Sequence, residues 1–543
     1  MSLPCLVLLP IHLFDINIVL QSLETLNLSN LKDIYILEEP VYFGDRDAKL
    51  NFTKLKLIYH RASMKYYYDY LTDNKSISRN TIINNAKITY INYNECKKKT
   101  NIQNTPYKTI TQAHSKVYMF DPVDTYLEAK YSNKKCFGNK IEYIDSPLFL
   151  CSNKNLEEYH KSKPKPDSYT HASFYKWQKT RLHILEKEKT YDTENRNQMP
   201  LDTKIPPLPK NDASNSNCKY LIEAIEYIEK EFSNNLEPIY VSVPVSASAQ
   251  NKITPKSIHF PITHKSSILW LEHFCKNRLE KFGEYEDSID SIPRNFLFHS
   301  TISPMINIGL ITPLQIITIV SKYYEKNKEK IGIATYEGFI RQVIGWREYQ
   351  RYIYKYIGDK MRNSNHFNNT RKLSEHWYKA TTGIKPVDDA IMLAINDGYI
   401  HHILRLMVVG NFMNLVGITP DEVYKWFMEF AMDSYDWVMI GNVYSMALWA
   451  DGGLTMRKPY ISGDGYIMKM GNYTNSKSKS KNNNNTNWNS IWNTIFHHFI
   501  DRNQEKLSKT YYNGIVKAWS KKPKTEKEKE LVIANTFINN YSH

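Results

Sequence analysis

The stretch GYIHHILRLMVVGNF (398–412) decides how this chain is read. From Ile400 on it reads as a mostly apolar helix carrying two adjacent histidines and one arginine. An arginine in such a setting needs a carboxylate, because a buried, unpaired guanidinium is costly. Asp436, in YDWVMIGNV (435–443), is the candidate partner. On an α-helix His402 and Arg405 stand three positions apart and share a face. His401 points about 100° away, which argues against a two-histidine metal site. By itself the His-His pair reads as satisfied core histidines.

Outward from this stretch lie FHSTISPMINIGLITP (298–313), GFIRQVIGWREYQRYIY (338–354) and WADGGLTMRKPYISGDGYI (449–467). The first offers hydroxyls at Ser300, Thr301 and Ser303, with Pro304 suited to the first position of a helix. Free N–H groups at a helix start suit phosphate oxygens, and an ordinary N-cap is the alternative. From about 264 onward the pattern is almost wholly helical. The beginning differs. CLVLLP (5–10), IYILEEP (34–40) and KITYINYN (87–94) read as strands, with a helix over 54–71, so a parallel α/β sheet is expected. No GxGxxG loop follows the first strand. The expected division is an α/β domain over 1–160, a linker with short helices over 161–263, and an all-α domain over 264–543. Residues 474–487, TNSKSKSKNNNNTN, are low-complexity.

A net charge of +15 favours an anionic partner, nucleic acid first, although scattered lysines can also simply solvate a surface. All six cysteines lie at or before Cys275 and none forms a CxxC pair, so a disulfide scaffold is not expected. The start, MSLPCLVLLPIHLF, lacks the basic region and cleavage site of an export signal and reads as a first buried strand. No apolar run is long enough for a membrane span. An intracellular monomer is expected. The excess of Asn, Lys, Ile and Tyr fits an AT-rich genome such as that of a large DNA virus.

The order and spacing of these segments resemble the photolyase/cryptochrome superfamily. The likeness is to its bacterial iron-sulfur (6-4) photolyase and cryptochrome branch, the deoxyribodipyrimidine photolyase-related proteins. FYKWQKTRLHIL and YDTENRNQMP (191–200) resemble that branch's linker, so the likeness covers most of the chain. The N-terminal part matches more loosely, with Ile11-His12-Leu13 where relatives usually carry Asp-Gln-Leu.

The resemblance implies a non-covalent FAD held by Ser300, Thr301 and Ser303 at its phosphates, with Tyr285 beside them. It places an Arg–Asp pair, read here as Arg405–Asp436, beside the flavin ring. An Asn six residues after the Asp, here Asn442, faces its N5. Gln342 and Trp346 fall on the cavity-facing WREF-type helix, and Tyr460 and Tyr466 near lesion DNA. Trp346 reads as core packing just as well, and the two tyrosines as solvated loop residues. His402 becomes the proton donor for a (6-4) lesion and His401 its neighbour, since (6-4) enzymes carry His-His where cyclobutane-dimer enzymes carry His-Asn. A histidine suits that task near neutral pH.

A [4Fe–4S] cluster needs four thiolates. The matching positions here are Pro386, Thr474, Lys477 and Ser490, so no cluster is expected. Electron supply is expected to start at Trp426, with Tyr378 and Phe427 at the next family positions and Trp377, Trp437 or Trp449 as detours. All of these also read as core. The expected activity is light-dependent repair of (6-4) photoproducts in UV-damaged DNA by electron transfer from reduced FAD. 6,7-Dimethyl-8-ribityllumazine is a possible antenna. A cryptochrome-like photoreceptor, a cyclobutane-dimer photolyase and a non-enzymatic DNA-binding relic are the alternatives.

Overall fold

The computed structural model describes residues 3–542 apart from 27, 29, 76–82, 84, 98–104, 164, 166, 192, 193, 195, 239–251, 292, 293, 295 and 474–487. The low-complexity stretch, with Thr474 and Lys477, therefore lies outside the described residues. The chain divides into two compact units. One comprises Met1–Ser162, Pro207–Lys276 and Thr301–Asn327; the other comprises Lys163–Pro206, Asn277–Ser300 and Lys328–His543.

The first unit is built on a five-stranded sheet in the order β3-β2-β1-β4-β5. The strands are β1 (Cys5–Leu8), β2 (Asp33–Leu37), β3 (Lys87–Ile91), β4 (Val117–Phe120) and β5 (Ile141–Ile144). Every neighbouring pair is parallel, with Cys5 opposite both Asp33 and Val117. β1 is central and wholly buried, as a parallel strand covered on both faces must be. The three expected strands are present but end early. After β2, Glu38 and Glu39 leave the strand for buried polar networks. Glu38 accepts from the Arg61 guanidinium at 2.7 Å, and Glu39 from the hydroxyls of Tyr107 and Tyr131, both at 2.7 Å.

The unit boundaries differ from the sequence division, and ion pairs give the reason. Helix Cys218–Glu231 packs on helix Lys54–Lys75 instead of spanning a linker. Buried Lys54 meets Glu229 at 2.8 Å and also Glu237, while Arg61 meets Glu223 at 2.6 Å and lies 3.4 Å over the Tyr227 ring. The region after 300 returns to the same unit: Leu13 N–H donates to Ile308 C=O at 2.9 Å. At Gly309, with φ +89°, a Cβ would lie 2.8 Å from the Phe14 ring, so glycine is required there.

The second unit is helical and its core is rich in large aromatics; Trp377, Trp426 and Trp492 are all fully buried. Its helices include Glu348–Arg362, Lys385–Asp397, Pro420–Phe430, Trp488–Arg502 and Lys524–Tyr541. Three segments are wound as π-helix: Arg341–Arg347, Leu404–Gly410 and Ile440–Ala447. Such turns are rare and are often found at functional sites. Among the described residues, no helix is long and apolar enough to cross a membrane.

Candidate functional site

Gly398 ends helix Lys385–Asp397 in a left-handed conformation, φ +60°, where a Cβ would lie 2.8 Å from Met432 Cε. Its carbonyl accepts from Met432 N–H at 2.9 Å, pinning the two segments together. Tyr399, Ile400 and His401 then run without helical structure; winding starts at His402 and passes into the π-segment at Leu404. The expected single helix through 400–412 is thus corrected. His401 precedes the helix, and its carbonyl accepts from Arg405 N–H at 3.2 Å.

Arg405 does not pair with Asp436. Its Nη2 donates to Asp433 Oδ2 at 3.0 Å, and its Nη1 stands 2.9 Å from Asp433 Oδ1, close as an ion pair but poorly aligned as a hydrogen bond. Its Nε donates to Ile400 C=O at 2.6 Å. Asp436, fully buried at the start of helix Asp436–Met439, binds other donors. Arg362 Nη2 reaches both of its oxygens at 2.7 Å, Tyr354 Oη donates at 2.6 Å, and Tyr424 Oη donates as well. Six residues beyond Asp433 stands Met439, which is buried. Asn442 therefore loses the spacing that singled it out; its Nδ2 donates to Val438 C=O at 2.7 Å, within its own helix.

The histidines form a cluster of three. His299, from the FHSTISP segment, stacks on His401 with centroids 4.6 Å apart and planes 12° apart. His299 Nε2 meets Glu286 C=O at 3.1 Å. Among the described residues, the buried Nδ1 atoms of both rings have no hydrogen-bond partner. Burial pushes His401 well below the usual histidine pKa, with His299, His402 and Arg405 adding to the effect. Burial likewise pushes His299 down to about 4. His402 is exposed by area, yet protein encloses it so closely that desolvation, then Arg405 and His299, push it down to about 4. Water reaching the exposed ring screens part of the effect.

The remaining predicted residues separate into groups. Tyr285 is buried in an apolar cluster with Met199, Leu297 and Phe298, its ring 5.7 Å from that of Phe298. Gln342 Nε2 donates to Glu286 Oε1 at 2.7 Å, on the residue whose carbonyl holds His299. Half-buried Trp346 stacks on His171, with centroids 3.7 Å apart and planes 7° apart. Tyr466 Oη donates to Asp287 at 3.3 Å, and Tyr460 is half-buried. Ser300 belongs to the second unit, Thr301 and Ser303 to the first. Thr301, at φ +51°, accepts from the Trp270 indole N–H at 3.1 Å, and Ser303 opens helix Ser303–Ile308 with Pro304 in its first turn.

Trp426 donates to Trp377 C=O at 2.9 Å and packs on Phe430 at 4.8 Å, which in turn packs on Tyr378 at 5.7 Å. Phe430, rather than Phe427, joins the two predicted relay residues. Around Pro386 and Ser490, Tyr473 Oη donates to Asp389 at 2.9 Å and its ring meets Trp488 at 5.8 Å. These contacts tie helices Lys385–Asp397 and Trp488–Arg502 together. Asp433, Arg362, His299, His171 and Glu286 carry these contacts, and sequence reasoning missed all five. Only His299 had a visible signal, its place in FHSTISP.

A family model described as deoxyribodipyrimidine photo-lyase-related protein matches residues 16–237, and one for the FAD-binding domain of DNA photolyase matches residues 337–462. The chain belongs to the photolyase/cryptochrome superfamily, in its deoxyribodipyrimidine photolyase-related branch. It is 34% identical over 252 residues to a (6-4) photolyase of Agrobacterium fabrum, a match covering 46% of this chain and 49% of that protein. The match thus spans about half the length of that relative. Viral relatives exist too: an uncharacterized protein of Acanthamoeba polyphaga mimivirus is 50% identical over 101 residues, covering 19% of this chain and 75% of that protein. A Synechocystis cryptochrome and a class III photolyase from Agrobacterium tumefaciens share the fold. Each has a TM-score of 0.51 at 14% identity over 87% of this chain, covering 89% and 86% of the respective structures.

Proposed function

We propose that this protein repairs (6-4) photoproducts in UV-damaged DNA by light, with non-covalent FAD. The observation that carries the reading is His402, exposed by area yet closely enclosed by protein, one helical turn from an arginine held in place by Asp433. The residues present fit a flavin. The Arg405–Asp433 pair offers a fixed positive edge, and a guanidinium so held can stabilise negative charge on a reduced ring. His401 Nδ1, buried and without a partner among the described residues, is a polar atom that a bound group can satisfy.

Asp433, not Asp436, is the carboxylate of the flavin-side pair in this reading, and Met439 takes the position for which the family spacing named Asn442. Gln342 acts through Glu286. Ser300, Thr301 and Ser303 as phosphate ligands and Tyr285 as their neighbour rest on the resemblance. So do Trp346, Tyr460 and Tyr466 as lesion contacts, and a ribityllumazine antenna. Trp426 is the first electron donor and Tyr378 lies beyond Phe430, a ring that is a poor redox relay, so Trp377 serves as the detour; no iron-sulfur cluster takes part because no thiolate follows Cys275.

When bound, reduced and excited by light, FAD supplies the electron that opens the lesion. The protein's own task is to admit a flipped-out base, exclude water and move one proton. In the protein alone His402 is neutral at pH 7, since desolvation, Arg405 and His299 all disfavour its charged form. An anionic group brought against the ring opposes the influence of the Arg405 cation and raises its pKa. Proton donation by His402 to the returning hydroxyl therefore follows substrate binding. His401, held against His299, fixes the approach of His402 from behind.

The absorption spectrum of the purified protein tests the cofactor, and a flavin spectrum is expected. Illumination with (6-4)-bearing DNA tests the activity. Flavin-loaded protein that repairs no lesion would move the assignment to a photoreceptor.

A further inference from the structure

The loop DGGLTMRKPYISGD (451–464) is held from beneath at many points. Asp451 accepts from Gly453 N–H at 3.0 Å and from Thr455 Oγ1 at 3.1 Å. Trp449 Nε1 donates to Met456 C=O at 2.8 Å, and Trp492 Nε1 to Ser462 C=O at 3.0 Å. Asn411, on the continuation of the helix that carries His402 and Arg405, donates to Ser462 C=O at 3.0 Å. Tyr512 Oη donates to Pro459 C=O at 3.1 Å and accepts from Ile461 N–H at 3.2 Å. A loop tied down in this way loses little further conformational freedom on binding.

Its outer face is basic. Arg457 and Lys458 are exposed and, among the described residues, have no ion-pair partner. Next to Tyr512, whose hydroxyl is anchored inside, Tyr511 points outward at 84% exposure, and Lys458 Nζ lies 5.4 Å from its ring centre. The chain around Tyr511 adds six lysines over residues 506–525, of which Lys509, Lys522 and Lys524 pair with Glu505, Glu530 and Glu528. Lys517 and Lys521 in that stretch are also exposed and unpaired among the described residues. An exposed flat ring beside cations that have no ion-pair partner among the described residues is an arrangement that can grip a nucleic-acid strand. The cations take phosphates and the aromatic face takes a base.

We propose that Arg457, Lys458 and Tyr511 form a DNA-contacting edge beside the candidate site, with Tyr511 as a stacking platform for an unstacked base. The proposal rests on the DNA-repair reading and adds residues that the reading does not use. Asn411 and Ser462 connect this loop to the helix that carries His402.

The test is fluorescence anisotropy of a labelled duplex carrying one (6-4) photoproduct, titrated with full-length protein over a series of salt concentrations. Tyr511→Ala is expected to weaken binding about tenfold, and Tyr511→Trp to keep it, because stacking needs a ring and not its hydroxyl. Lys458→Ala is expected to weaken binding and to lower the salt slope by about one counterion. Tyr511 is so exposed that its loss leaves the fold intact, and thermal melts with flavin content check this. Wild-type binding with unchanged affinity in both alanine variants overturns the proposed edge and leaves the repair reading standing. Wild-type protein that binds no lesion DNA overturns both.

Discussion

Two carboxylates three positions apart serve two different arginines: Asp433 holds Arg405 and Asp436 holds Arg362. Asp433→Ala leaves Arg405 buried without its partner, which costs about 3–5 kcal/mol in such pairs. It is expected to lower both the melting temperature and the flavin content of purified protein. Asp436→Ala removes the acceptor of Tyr354 and Tyr424 but frees an arginine whose side chain is already 34% exposed. It should therefore destabilise the fold while sparing flavin content more than Asp433→Ala does. The absorbance ratio of flavin to protein separates the two, and equal loss would remove the distinction. From the sequence Asp436 was the better guess, because it heads a motif with Asn442 at the family spacing. Which carboxylate meets Arg405 depends on where helix Asp436–Met439 begins, and no local pattern records that.

His402→Ala is expected to keep flavin and DNA binding and to suppress (6-4) repair; full repair by that variant would remove His402 from the mechanism. The cluster also sets a pH dependence. His299 and His402 are held near 4 in the fold against about 6.5 unfolded, and burial holds His401 well below its ordinary value too. Between these values the unfolded chain binds more protons than the folded one, so stability rises with pH. It is fully present above about 6.5 and falls as pH drops towards 4. His12, His60 and His171, each pushed to about 3 by burial, act in the same sense. Urea midpoints at pH 5 are expected to lie below those at pH 7.5, and equal midpoints would contradict the buried, neutral histidines.

At the scale of elements, three π-wound segments carry Gln342 and Trp346, Arg405, and Asn442. A 3.6-residue reading of 400–412 gave one helix with His401 and His402 on adjacent positions. The π-turn instead depends on hydrogen bonds chosen by tertiary packing, which apolar periodicity does not encode. Gly410 shows the constraint, because a Cβ there would lie 2.7 Å from Arg405 C=O and 3.0 Å from Ala447 Cβ. Gly410→Ala is expected to cost about 1–3 kcal/mol by overpacking and to loosen flavin, read as a lower melting temperature and paler protein. In the sheet, the first three strands were legible from their apolar runs. VYMF (117–120) and IEYI (141–144) were not: Asp121 ends the first apolar run at once, and β5 is only half-buried along most of its length.

Over the whole molecule, the α/β beginning and the helical remainder were legible from strand and helix patterning alone. The segment boundaries were not. Helix Cys218–Glu231 joins the sheet-containing unit through Glu223 and Glu229, and its partners Arg61 and Lys54 lie more than 150 residues earlier in the chain. Pairings at that separation leave no mark on a local reading. The family assignment, by contrast, needed only the order of a few short motifs. The central claim is light-driven repair of a (6-4) lesion, and one measurement addresses it directly. Flavin-loaded protein, chemically reduced without oxygen, is mixed with an oligonucleotide bearing a single (6-4) photoproduct, and the strand is analysed by chromatography after illumination or darkness. The account predicts the two restored pyrimidines in the light and none in the dark; an unchanged lesion after illumination of flavin-loaded, reduced protein would contradict it.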